Sequence, residues 1–199
     1  MKSLLAISVL ALIIPSLLHA GEAIFSDPFT GGDKVPERRA MRGDWQIEGG
    51  VASVTQDDEL YKKYKDHGPI LFYDLPTTNA TFHYAVKPAG CKSVVFTLNA
   101  EAGHVFRFVS AAAGTNFRAF PPEGEEKSIA TGRETEWVLP ENEWTSVKVL
   151  IEGSRATVTM GDHPSVEVEH ASYDRAKTNF SIGFAYGSLS VKDVRVTTE

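Results

Sequence analysis

The chain is poor in the residues that name a chemistry. One cysteine, Cys91, stands in 199 residues, so no disulfide can close within the chain and stability must come from core burial or a bound ion. Lys92 is its only cationic neighbour in sequence, which reads as a small buried residue at a strand start rather than an activated nucleophile. There is no H-E-x-x-H, no G-x-S-x-G, no glycine-rich phosphate loop and no cysteine pair. Zinc protease, serine esterase, nucleotide-binding and zinc-ribbon classes fall away with them. Positive charge is scarce as well: 20 Lys and Arg against 26 Asp and Glu give a net charge of −6. That balance argues against nucleic acid and anionic lipid surfaces, which need clustered cations.

Long apolar runs are missing too, with one exception. Lys2 precedes a stretch from Leu4 to Leu18 broken only by Ser8, Pro15 and Ser16, and Leu18-His19-Ala20 follows before Gly21. A bilayer span needs about 20 apolar residues. This shorter run predicts a secretory signal peptide over 1–20, cleaved after Ala20. The expectation is a single mature domain over 21–199, secreted or periplasmic, monomeric and without a membrane span.

What is present is a succession of short alternating runs. Gly49-Gly50 is a two-residue turn signal that faces Ile47 with Ala52 and Trp45 with Val54. Gly153-Ser154 pairs Ile151 with Ala156, Val149 with Val158 and Val147 with Met160, and sets Glu152 against Arg155 on the other surface. Further runs fall at 70–75, 81–87, 93–99, 105–110, 115–120, 136–139, 165–170 and 180–185. Ten or more strands without a long helix predict an all-β fold, two packed antiparallel sheets in a sandwich. Asp58–His67 reads as a helical turn or a surface loop, and Pro121–Thr135 as a long solvated loop. A last hairpin turning at Gly187-Ser188 would face Phe184 with Val191. The apolar phase then slips from position 193 to Val194 and Val196, which predicts a β-bulge near Lys192-Asp193.

Phe25-Ser26-Asp27-Pro28-Phe29, Trp45–Val51, Glu143–Val149 with Gly153, Ile182-Gly183-Phe184 and Leu189–Val196 together resemble the concanavalin A-like (LamG-type) jelly-roll superfamily. Within it they are most similar to the 3-keto-disaccharide hydrolase family of secreted domains. The resemblance covers both ends of the mature chain and is looser in its middle. It implies a jelly roll that binds or cleaves carbohydrate, or hydrolyses oxidised glycosides. The Asn-Ser-Gly-Ile and Gly-Tyr-Glu segments of the hydrolases have no counterpart in Cys91–Asn99 or His104–Ser110, so no catalytic residue carries over by motif. The superfamily often holds a structural calcium where the first and last strands meet, and Asp27 and Asp193 are the carboxylates placed there.

Candidate chemistry lies on the central strands. His83, Glu101 and His104 are the candidate catalytic residues, while Arg107 and Arg118 are donors suited to sugar hydroxyls or a carboxylate. Aromatic platforms for a pyranose face are expected from Trp137, Phe117, Phe120 or Tyr73, with Trp45 and Trp144 assigned to the core. A glycosidase would also need two carboxylates at a set separation, and no spacing shows any pair converging. Three readings stand: a carbohydrate-binding jelly roll, a glycoside hydrolase of the 3-keto-disaccharide type, and an envelope domain with a protein partner.

Overall fold

The computed structural model describes residues 22–31, 35–122 and 128–198. The expected leader over 1–20 lies outside them. In chain order the strands are β1 (Ala23–Ser26), β2 (Arg38–Met41), β3 (Gln46–Glu48), β4 (Val51–Thr55), β5 (Ile70–Tyr73), β6 (Ala80–Ala89), β7 (Ser93–Asn99), β8 (His104–Ala111), β9 (Gly114–Ala119), β10 (Ile129–Glu134), β11 (Thr145–Glu152), β12 (Arg155–Met160), β13 (Val166–Glu169), β14 (Asn179–Ala185) and β15 (Ser188–Thr197). A short α-helix, α1 (Asp58–Lys63), is capped by the Asp57 carboxylate, which accepts from the Glu59 and Leu60 amides, and a 3-10 turn spans Ala171–Asp174.

The strands form two antiparallel sheets in a jelly-roll sandwich. Sheet A runs β13-β12-β11-β6-β15-β4-β3, with β1 added to β15. Sheet B runs β10-β9-β8-β7-β14-β5-β2. The Gly49-Gly50 and Gly153-Ser154 hairpins form in the predicted register, Ile47 opposite Ala52 and Val149 opposite Val158. The bulge near Lys192-Asp193 is also present, as a register shift with Asp193 at a left-handed φ of 56°.

Three expectations are corrected. Phe180–Val196 is not a hairpin: β14 pairs with β7 and β5 in sheet B, while β15 pairs with β6 and β4 in sheet A. Tyr186 and Gly187 both take positive φ at this crossing. A Cβ on Gly187 would lie 2.2 Å from the Ala89 carbonyl oxygen, so the passage between layers requires glycine. Part of the expected 121–135 loop is strand β10, which closes one edge of sheet B. The 136–139 run is not a strand, yet it buries Trp137 and Leu139.

Alternation directs one row of each central strand inward. Phe96 sits among Phe82, Tyr84, Phe106, Phe108 and Phe180, with ring centroids 5.6 to 6.5 Å away. Removing such a ring costs about 3–5 kcal/mol. At one edge of this core a polar knot closes the N-terminal segment. Arg38 donates to both Asp27 oxygens at 2.7 and 2.9 Å, and the Tyr73 hydroxyl donates to Asp27 at 3.1 Å. The Asp27 amide in turn donates to the Val194 carbonyl, tying the first strand region to the bulged last one.

Candidate functional site: a polar groove on the outer face of sheet B

The residues of β7 that do not face the core, Ser93, Val95, Thr97 and Asn99, form the floor of a groove of about 480 Å³. Ser181 and Gly183 of β14 and Ile70 and Phe72 of β5 extend it. On β8 a register irregularity falls where Leu98 pairs with Phe106 but Asn99 pairs with His104. Val105 and Phe106 are therefore both buried, and His104 is turned to the outer face with Arg107. A bulge of this kind re-aims side chains.

Asn179, Asn99, His104, Arg107 and Thr97 make one hydrogen-bonded chain. Asn99 Nδ2 donates to Asn179 Oδ1 at 2.7 Å, and Asn99 Oδ1 lies 2.6 Å from His104 Nδ1. His104 Nε2 lies 2.8 Å from Arg107 Nη2, and Arg107 Nε donates to Thr97 Oγ1 at 3.1 Å. Guanidinium nitrogens only donate. His104 Nε2 must therefore accept, which leaves the proton on Nδ1, donated to Asn99. Burial, with Arg107 adding to it, lowers the His104 pKa to about 4, in keeping with a neutral ring. Burial and the nearby Arg118 also lower the Arg107 pKa from its ordinary value. Phe120 supports both groups, 5.2 Å from the Arg107 guanidinium and edge-on to His104 at 5.0 Å. Arg175 fastens this corner by donating to the His104, Phe120 and Ala102 carbonyls.

The opposite wall comes from the segment around α1. A Cβ on Gly68 would lie 2.0 Å from the Phe184 carbonyl oxygen, so only glycine lets this segment lie against β14. Tyr61, which lines the groove, meets Tyr186 at 5.4 Å, and Lys92 lies 3.6 Å from the Tyr186 ring centroid. Arg42, His67 and Asp66 complete the rim.

The predicted site residues divide between the two sheets. His104 and Arg107 come together, and Arg118 stands opposite Arg107 on β9 with its guanidinium on Ser128. Glu101 is exposed in the β7–β8 turn. His83 lies on the outer face of sheet A, in cross-strand register with Lys148 and Arg195, and does not join the groove. Burial and these two cations lower its pKa. Trp137 is 4 % exposed and packs on Phe117, so it offers no ring to a ligand. Phe117 and Tyr73 are buried as well, and of the four expected platforms Phe120 alone reaches the site. The tryptophan assignment is reversed for Trp144, which is 37 % exposed between Lys87 and Lys192. Trp45 is half-buried against the core.

The calcium pair is not assembled. Both Asp27 oxygens hold the Arg38 guanidinium in full enclosure, whereas the Asp193 side chain is 72 % exposed beside Lys192. Among the described residues no three His, Cys, Asp or Glu side chains gather to hold a metal ion. Burial pushes the Cys91 thiol up to about 11, consistent with an inert residue.

Asn99, Asn179, Thr97 and Ser181 escaped the sequence reading. One signal was available: Val105-Phe106 are adjacent apolar residues at a strand start, the mark of a phase slip that turns His104 and Arg107 to one face.

No family model matches the chain, and no curated protein sequence matches it. Solved structures share its fold. The carbohydrate-binding module CBM66 from Bacillus subtilis superposes with a TM-score of 0.60 at 9% identity, covering 81% of this chain and 96% of that one. Alginate lyase A1-II′ gives 0.51 at 12% identity, over 66% and 72% of the two chains. CG-16, a homodimeric agglutinin from chicken liver, gives 0.53 at 9% identity, over 64% and 99%.

Proposed function

We propose that the protein binds carbohydrate in the groove on sheet B, as an exported domain whose leader is the 1–20 segment. The observation that carries this is the Asn99–His104–Arg107–Thr97 chain, which fixes donors and acceptors on a rigid sheet before any ligand arrives. Sugars present closely spaced hydroxyls, and a site of prearranged side chains recognises them without losing rotamer entropy. Phe72 and Tyr61, which line the groove, add apolar surface for pyranose C–H faces. Sharing a fold with a carbohydrate-binding module, an agglutinin and an alginate lyase supports the reading.

Binding is favoured over hydrolysis by the carboxylate inventory. Asp66 is the one acidic residue among the described lining residues of the groove, and paired-carboxylate glycoside hydrolysis needs two. The 3-keto-disaccharide hydrolase resemblance carries no catalytic residue onto this chain by motif, so it supports the fold of this reading. The test is a glycan array with the purified protein and its Arg107→Ala and His83→Ala variants, all checked for cooperative melting. Loss of binding in Arg107→Ala with retention in His83→Ala is expected. Binding lost in His83→Ala alone, or no glycan bound by the parent protein, contradicts the proposal.

A further inference from the structure

The groove holds an arginine, Arg107, whose guanidinium meets no carboxylate among the described residues. Elsewhere on the molecule arginines meet carboxylates, Arg38 with Asp27, Arg39 with Asp74, and Arg155 with Glu152 and Glu167. Arg175 and Arg133 instead donate to backbone carbonyls. Arg107 has a neutral histidine and a threonine hydroxyl. Its cross-strand neighbour is Arg118, a like charge directly opposite, and Arg118 rests on Ser128. Among the described residues no carboxylate pairs with either arginine, and Glu123, Glu125 and Glu126 lie outside them. Like charges opposite one another in a sheet repel, and partial burial of a cation without a counter-ion adds to the cost.

We propose that the ligand of this groove is an anionic sugar whose carboxylate or sulfate sits on the free side of the Arg107 guanidinium. The proposal rests on the carbohydrate reading above and names the class of sugar. Thr97 and His104 engage two of the five guanidinium N–H groups, leaving three for a ligand. Those three include both hydrogens of Nη1, and a guanidinium edge matches two oxygens of a carboxylate or sulfate. The anion would supply the missing countercharge to Arg107 and reduce its repulsion with Arg118. Arg42 adds a second cation to the rim, against the single carboxylate of Asp66. The protein as a whole is acidic, with a net charge of −6, so a preference for an anion cannot come from its overall field.

The test uses matched probes on the purified protein by calorimetric titration. Polygalacturonate hexamer and its methyl-esterified form share a backbone and differ in the charge of the carboxylate; a κ-carrageenan hexasaccharide, which has sulfate and no carboxylate, and its desulfated form make the same comparison for sulfate. At least one anionic probe is expected to bind about tenfold more tightly than its neutral counterpart, the scale of one charge-assisted hydrogen bond. That gap should shrink with added salt, disappear in Arg107→Gln and persist in Arg195→Gln, which removes the same charge from sheet A. A tighter carboxylate points to a uronic acid, a tighter sulfate to a sulfated sugar. Equal binding of charged and neutral probes overturns the anionic assignment and leaves the carbohydrate reading standing. Equal loss in Arg195→Gln overturns it as an unspecific charge effect, and no binding of any probe or array glycan overturns both.

Discussion

Arg38 and Arg107 are both drawn into the protein, and the difference between their surroundings separates structure from function. Arg38 is 10 % exposed and has its carboxylate, Asp27, which also accepts from Tyr73 and from the Phe29 amide. Every oxygen of that knot is used, and it is closed. Arg107 has two neutral partners, an aromatic support and a like charge opposite. The residue lines a groove. A satisfied buried cation stabilises a junction, whereas a half-buried cation with spare donors on a rigid sheet is prepared for something that arrives later.

The contrast can be broken most severely at the closed end. Asp27→Ala leaves Arg38 and the Tyr73 hydroxyl without their acceptor in a dry setting, and denaturant melts should show a loss of about 3–5 kcal/mol. A change below about 1 kcal/mol would mean that water replaces the carboxylate and that the knot is not closed. The tryptophans sharpen the same distinction between buried and open settings. Trp137→Ala removes a ring packed on Phe117 and should cost about 3 kcal/mol, with Trp144→Ala costing well under half of that, since its ring is exposed between two lysine stems. Equal losses in urea titrations would contradict the burial assignment.

At the open end the expected effects on stability are smaller and depend on pH. His104 has a folded pKa of about 4 against an ordinary value of 6.5. Above pH 6.5 the ring is neutral in both states. As pH falls from 6.5 towards 4, the unfolded chain takes up a proton that folded His104 refuses, so stability declines through this window. Partial solvent access keeps the decline below what the full shift implies. Thermal melts of the parent protein should therefore lose more stability between pH 7 and 5 than those of His104→Gln; parallel curves would remove His104 as the titrating group. The smallest effect belongs to Arg107→Gln at neutral pH, below about 1 kcal/mol, because the glutamine amide can still donate a hydrogen bond and the repulsion with Arg118 is relieved. A loss matching that of Asp27→Ala would place Arg107 with the structural arginines.

The sheets were legible because hairpin register and binary pattern are local: Gly49-Gly50 and Gly153-Ser154 with their flanking β-branched residues determine Ile47–Ala52 and Val149–Val158 without reference to the rest of the fold. The Asp193 bulge was legible for the same reason. The passage at Tyr186-Gly187 was not, since a turn that crosses between layers carries the same residues as one that closes a hairpin. Half of the site was visible, His104 and Arg107, because they are polar residues in an otherwise apolar strand. His83 was grouped with them wrongly, because alternation tells which face of a strand a residue takes and not which sheet the strand joins. Trp137 was misplaced because it is buried from an irregular segment, where no periodicity points inward. Asn99 and Asn179, 80 positions apart, meet only through the pairing of β7 with β14.

The most direct test of the groove is backbone amide chemical-shift mapping during titration with a sugar that binds. The account predicts that perturbed amides cluster on Thr97, Asn99, His104, Arg107, Ser181 and Gly183, with His83, Lys148 and Arg195 unmoved. Perturbations centred on those last three, on the outer face of sheet A, would contradict it.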